Sequence, residues 1–160
     1  MKLLIKERYY SLYESYDIYD EQGKPYYHVA PGEGLQLRQR FDVTELPFGN
    51  QVGAFGKRWL ALLPTVELSL GGRSAGYVTM TRHRIGEYVF RLHIGDWRLT
   101  GDPRSWYYKV TKEDGSAVFS VDALPEHRGY RVMDVADRQD APLALLTALA
   151  LEAVFFSAGF

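Results

Sequence analysis

Short runs in which apolar and polar residues alternate follow one another along most of the chain. The run 88–94 is typical, because apolar residues at its even positions alternate with mostly polar residues at its odd ones. This is the period of a β-strand with one buried face. Turn residues interrupt such runs roughly every eight to twelve positions, a spacing typical of β-sandwiches and β-barrels.

Three pairs of these runs are joined by turns that contain glycine, and each pair predicts a hairpin. The turns are 20–23, between runs 16–19 and 26–29; 71–72, between 59–70 and 77–80; and 112–115, between 106–111 and 117–121. Glycine suits these turns because it tolerates positive φ. The first and last hairpins share an acidic turn and a Val six positions after the Gly. A shared hairpin rule explains most of that similarity, and a duplicated half-barrel also explains it.

The stretch 142–160 has a different pattern, since it is almost wholly apolar and only Thr147 and Glu152 interrupt it. Asp140 occupies the position of a helix N-cap, Pro142 falls in the first turn, and Gly159 is a suitable stop. The sequence therefore predicts a C-terminal helix with no polar face. Such a helix is either buried in a protein core or spans a membrane.

Length and charge favour the core over the membrane anchor. A helix of about 16 residues spans roughly 24 Å, whereas the hydrocarbon core of a bilayer is roughly 30 Å thick. Glu152 lies well inside the segment, and no Lys or Arg follows to anchor the far end. A tail anchor stays the alternative. Inside a barrel, Glu152 would need an inward-facing Arg as a partner or a solvated position near the helix end.

Composition limits the classes of function. The chain has 160 residues and no linker-like segment, which predicts one domain over residues 1–160. A net charge of -1 gives no global basic field for nucleic acid. The chain has no cysteine, which excludes disulfides, thiol nucleophiles and Cys-based metal sites. The N-terminal residues lack the apolar core of a secretory signal, so the expected compartment is the cytoplasm.

Three segments in this order resemble a known family: YDIYDEQG at 16–23, LALLPTVEL at 60–68, and the closing apolar helix. Together they are similar to the LURP-one-related family, one of the Tubby C-terminal-like proteins, and the phospholipid scramblases share the resemblance. The resemblance implies a mainly β fold, a closed antiparallel barrel of about twelve strands wrapped around the hydrophobic C-terminal helix. It implies no defined activity. The run 45–50 departs from compact relatives and leaves the local strand count open.

Motifs of catalysis and cofactor binding are incomplete. GRSAG at 72–76 matches the G-x-S-x-G pattern, and His83, His93 and His127 follow it, but the residues after Ser74 favour a strand where a nucleophile elbow needs a helix. The glycines before Lys57 lack the spacing of a phosphate loop. The four histidines show no paired metal spacing. We therefore expect no catalytic residues, no cofactor and no metal.

Basic residues give the candidate site. Arginines at alternate strand positions can form bidentate hydrogen bonds with phosphate oxygens. A local cluster of them can bind an anionic headgroup even when the net charge of the protein is near zero. A solvated barrel exterior explains the same residues. The candidate ligand-binding residues are Arg38, Arg40, Lys57, Arg58, Arg82 and Arg84.

The predicted function is a non-enzymatic barrel, cytoplasmic or peripheral at the membrane, that binds an anionic phospholipid or a phosphorylated ligand. One alternative is a protein-interaction or self-associating module that uses exposed aromatic residues, namely Trp97, Trp106 and Tyr107. A serine hydrolase built on Ser74 is the weakest alternative.

Overall fold

A computed structural model of the chain describes residues 1–6, 14–32 and 40–157. These residues form twelve β-strands, two short 3₁₀ helices and one α-helix. The strands are β1 Lys2–Lys6, β2 Tyr16–Asp20, β3 Pro25–Pro31, β4 Arg40–Glu45, β5 Asn50–Lys57, β6 Thr65–Leu70, β7 Arg73–Arg84, β8 Glu87–His93, β9 Arg98–Asp102, β10 Tyr107–Thr111, β11 Ala117–Ala123 and β12 Tyr130–Val135. The 3₁₀ helices are Pro103–Ser105 and Arg138–Asp140, and the α-helix, α1, is Ala141–Ser157.

The twelve strands form one antiparallel sheet that curls into a nearly closed barrel. Each of β1 to β7 pairs with the next strand along the chain, each of β9 to β11 does the same, and β1 pairs with β12. Leu3 opposes Met133 across that last junction, and both are fully buried. Strands β8 and β9 lie at the two ends of the hydrogen-bonded order. This confirms the mainly β fold expected from the alternating runs and the barrel of about twelve strands that the resemblance implied.

Helix α1 fills the interior of the barrel and packs mainly against β5, β6 and β7. Its side chains are buried on every side, as a helix without a polar face requires. The buried residues are Ala141, Ala144 to Leu151, Ala153 and Val154. The core helix is therefore confirmed. Within the described residues, no helix has both the length and the apolar character needed to cross a membrane.

Helix α1 starts where the sequence predicted, but its capping residue is different. The helix begins directly after Asp140, and Pro142 is its second residue. The observed capping bond lies one short turn earlier, where the Asp137 side chain accepts a hydrogen bond of 3.0 Å from the backbone N–H of Gln139. Gly159, the predicted stop, lies outside the described residues.

The helix lies close to the barrel wall at Gly53 in β5. A Cβ at this position would lie 2.7 Å from Cδ1 of Leu146 and would also meet the backbone oxygen of Ser69 in β6. Glycine is therefore required here by packing, since any larger residue would push the helix away from the sheet.

Glu152, the charged residue of α1, has a buried cationic partner. Arg131 on β12 is 4% exposed and points into the barrel, and its Nη2 lies 3.6 Å from Oε1 of Glu152. The Arg131 guanidinium also lies over the ring of Trp106. The sequence predicted that Glu152 would need either an inward-facing Arg or a solvated position, and the structure shows the first of these.

Two local predictions need correction or completion. A strand beginning at Trp59 is wrong, because β6 begins at Thr65 and residues 58–64 form a loop. Pro64 lies at the end of that loop and cannot donate a ladder hydrogen bond. The run 45–50, where the strand count was open, forms the turn between β4 and β5 with a cis peptide bond at Leu46–Pro47, and adds no strand.

Replacing Leu149 with Asp is expected to prevent folding. Leu149 is 2% exposed in the middle of α1. A carboxylate there would be removed from water and would gain no charged or hydrogen-bonding partner in exchange. The matched control is Leu62→Asp, because Leu62 is fully exposed in the 58–64 loop. Circular dichroism should show native structure for the control and not for Leu149→Asp. A soluble, folded Leu149→Asp protein would contradict the placement of the helix.

The ion pair between Arg131 and Glu152 is expected to show strong coupling. Glu152→Leu alone should lower the free energy of unfolding by about 3–5 kcal/mol, because it leaves Arg131 buried without its counter-charge. The double variant Arg131→Met with Glu152→Leu should lose clearly less than the sum of the two single losses. Urea unfolding of the four proteins measures this cycle. Additive losses would mean that the pair is not coupled.

Candidate functional site

Successive strands run in opposite directions, so the barrel has two ends with different residues. The start of β4, the end of β5 and the end of β7 all lie at the same end. This brings together five of the six basic residues singled out in the sequence: Arg40, Lys57, Arg58, Arg82 and Arg84. We call this the basic end. Arg38 lies outside the described residues.

Two of these arginines are held by neighbouring carboxylates. Arg40 pairs in register with Gly56, and its Nε lies 3.3 Å from Oδ1 of Asp42. Arg58 donates to Oε1 of Glu67 at 2.6 Å and lies over the ring of Tyr77, 4.7 Å from its centroid. These contacts fix the position of both guanidinium groups on the outer wall of the barrel.

The other two arginines lie on a hairpin that extends beyond the barrel wall. Pairing between β6 and β7 ends at Thr65 and Thr79, whereas pairing between β7 and β8 continues to Arg84 and Glu87. At about 3.3 Å per residue, Arg84 lies roughly 16 Å beyond Thr79 along the strand. Both Arg82 and Arg84 are exposed, and neither forms an ion pair with another described residue.

Arg104 is a further cation at the basic end that sequence reasoning missed. It lies in the 3₁₀ helix after β9, and its guanidinium is 4.9 Å from the centroid of the Tyr88 ring. Its Nε is 3.4 Å from Oδ1 of Asp102. Tyr88 opposes Arg82 across the β7–β8 ladder and packs on Phe155 near the end of α1. No local motif marks Arg104, because its position depends on the order of strands around the barrel.

Large apolar side chains project from the same end of the barrel. Leu60 and Leu62 in the 58–64 loop are fully exposed, and Ile85 at the tip of the β7–β8 hairpin is 92% exposed. Trp59 and Leu63 are partly exposed beside them. We call these five residues the apolar tips. Sequence reasoning missed these residues because it predicted a strand at 59–70. The unbroken apolar run before Pro64 lacks the alternation of a strand and could have indicated a loop.

The opposite end of the barrel carries many carboxylates in its turns. The side chain and the backbone N–H of Ser116 donate to Oδ1 of Asp114, and these hydrogen bonds hold the pKa of that carboxyl below its usual value. Asp114 is therefore ionised at neutral pH. The acidic residues at this end include Asp20, Glu21, Asp96, Glu113, Asp114, Asp137 and Asp140. We call it the acidic end.

The interior beneath the basic end is polar but closed. Tyr108 is 5% exposed, and burial together with the negative charge of Glu152 raises its pKa. Its hydroxyl therefore stays neutral at physiological pH. Arg131 faces this interior and is buried, so it belongs to the core and is separate from the exposed cations.

The expected surface of exposed aromatic residues is wrong for two of its three members. Trp97 is 9% exposed and packs near Phe119, and Trp106 is half-buried beneath Arg131. Only Tyr107 of the three is well exposed. These tryptophans come from loops that fold inward when the barrel closes, which strand alternation does not reveal.

Ser74 lies on the strand next to His93, but no hydrogen bond among the described residues joins it to a histidine. Ser74 is the second residue of β7, directly after the glycine turn, and a strand follows it, as the sequence predicted. His93 lies on β8, stacked on Tyr77, and His28 lies on β3, with Nδ1 2.6 Å from Oδ1 of Asp17. Within residues 1–6, 14–32 and 40–157, no three His, Asp or Glu side chains come together as metal ligands.

These features define a class: an antiparallel up-and-down β-barrel built around its own C-terminal helix, with one cationic end. A protein from Arabidopsis thaliana, AT5G01750, whose structure was solved by X-ray crystallography, has a similar fold. The similarity covers 95% of this chain and 90% of that one, with a TM-score of 0.62 and 15% sequence identity. No protein-family model and no curated protein matches the chain. At this identity the similarity establishes the fold alone.

Proposed function

We propose that this protein is a non-enzymatic module that binds an anionic phospholipid headgroup, or another phosphorylated ligand, at its basic end. The observation that carries the proposal is the convergence of Arg40, Lys57, Arg58, Arg82 and Arg84, from three separate segments of the chain, on one end of the barrel. We also propose membership of the LURP-one-related family within the Tubby-like proteins. The shared barrel of the Arabidopsis thaliana structure supports this second proposal only at the level of fold.

The cations differ in what they offer to a ligand. Arg82 and Arg84 are exposed on the protruding hairpin, so their guanidinium groups can donate two parallel hydrogen bonds to phosphate oxygens without breaking an ion pair with a described residue. Arg40 and Arg58 are held by Asp42 and Glu67. They contribute mainly a fixed local potential, which acts over a Debye length of about 8–10 Å.

The uneven distribution of charge supports a single orientation. Net charge is only -1, so the whole molecule is neither strongly attracted to nor strongly repelled by an anionic surface. The exposed guanidinium groups of Arg82 and Arg84 are attracted to such a surface, and the turn carboxylates of the acidic end are repelled by it. Both effects turn the barrel so that the basic end faces the ligand.

Replacing Arg82 and Arg84 with Ala together is expected to weaken binding to vesicles of phosphatidylglycerol and phosphatidylcholine about 30-fold at low salt. Each basic residue near an anionic membrane contributes about 1 kcal/mol, and about 1.4 kcal/mol corresponds to a tenfold change. The measurement is sedimentation of the protein with vesicles at increasing lipid concentration.

The matched control is Lys24→Ala with Arg73→Ala, since both residues are exposed at the acidic end and the charge change is identical. This control should bind almost as the native protein does. Equal weakening by both variants would mean that net charge alone governs binding. Failure of the native protein to sediment with anionic vesicles at low salt would refute the proposed function.

A further inference from the structure

We propose that the apolar tips insert into the bilayer, so that the ligand of the basic end is a phospholipid membrane and not a soluble phosphorylated molecule. The inference rests on the proposed function and adds to it a second, apolar contribution to binding. It is carried by the exposure, backbone conformation and placement of Trp59, Leu60, Leu62, Leu63 and Ile85.

Leu60 has an uncommon backbone conformation for a leucine, in the turn at residues 59–60. Its φ is 62°, in the left-handed region that is unfavourable for a residue with a Cβ. Its side chain is fully exposed and gains no burial within the described chain in return. Residues with such conformations occur in turns and are also enriched at sites that contact ligands. We infer that Leu60 is directed toward a contact outside the molecule.

In both segments that carry the apolar tips, cations come immediately before the apolar residues along the chain. Lys57 and Arg58 precede Trp59 and Leu60, and Arg84 precedes Ile85. The ammonium of Lys57 lies 5.6 Å from the centre of the Trp59 ring. Along the chain from the end of the β5–β6 ladder into the loop, the order is therefore cation, tryptophan, aliphatic side chain. A bilayer presents phosphates, then the interface that tryptophan favours, then hydrocarbon, so the two orders match.

The same arrangement argues against a second copy of this chain as the occupant. Two copies that met through their apolar tips would bring their basic ends together, and like charges repel across an interface. The tips are also convex, because the β7–β8 hairpin extends past the wall of the barrel. An anionic membrane complements both the charge and the shape.

A fluorescent label tests insertion at a single residue. The chain has no cysteine, so Leu62→Cys can be labelled cleanly with an environment-sensitive fluorophore. The control label is placed at Gln22→Cys, in an exposed turn of the acidic end. With vesicles of phosphatidylglycerol and phosphatidylcholine, the label at position 62 should shift to the blue and be quenched by lipids brominated in their acyl chains. The label at position 22 should do neither.

A pair of variants tests the contribution to affinity. The double variant Leu60→Ser, Leu62→Ser should bind vesicles at least tenfold more weakly, because two leucine side chains are no longer transferred from water into the bilayer. What binding remains should be abolished by high salt, because only the electrostatic part is left. The control is Phe48→Ser, which removes a largely exposed apolar residue at the acidic end and should bind as the native protein does.

The outcomes separate this inference from the proposed function. Native protein that binds no anionic vesicle would refute both. Native protein that binds, with an unchanged label at position 62 and an unaffected Leu60→Ser, Leu62→Ser variant, would leave the proposed function standing and overturn insertion. A blue shift that appears without vesicles as protein concentration rises would identify a second copy as the occupant and would also overturn it.

Discussion

The structure depends on one constraint, which is that α1 has no polar face and must be enclosed on every side. A sheet curled into a barrel meets this requirement, because every strand presents an apolar face to the axis. Gly53 shows how close the enclosure is, since even a Cβ would meet Leu146 there. Because the helix occupies the axis, the exposed residues that can contact other molecules lie on the outer wall and at the two ends of the barrel.

The charged residue of the helix, Glu152, constrains how α1 is positioned inside the barrel. An ion buried without a partner is costly, and the pair formed by Arg131 and Glu152 restricts both the rotation and the depth of α1. The helix starts at the acidic end, where Lys112 lies 3.9 Å from Asp140, and reaches the basic end, where Phe155 packs on Tyr88. The core thereby connects two ends that differ in charge, and only one of them also carries the apolar tips.

Much of the fold could be predicted because its signals are local. Alternation and glycine turns indicated β2, β3, β8, β10 and β11, and the unbroken apolar stretch indicated α1. The need of Glu152 for an arginine or a solvated position followed from electrostatics. The identity of its partner as Arg131 did not, because the pairing of β12 with β1 and β11 brings that strand into place. The basic residues were visible as residue types, yet their convergence depends on strand order. Trp97 was misjudged because burial in loops is decided by closure of the barrel. The 58–64 loop was misjudged because a short apolar run resembles a buried strand in composition.

The central claim is that the barrel is a rigid support for a membrane-facing basic end, with α1 serving only as its core. Hydrogen–deuterium exchange of the full chain, with and without vesicles of phosphatidylglycerol and phosphatidylcholine, tests it most directly. The account predicts new protection in residues 57–64 and 82–87 and no change in α1 or in the turns of the acidic end. Loss of protection in α1 on membrane binding, or protection gained at turns 21–24 and 112–116, would contradict it.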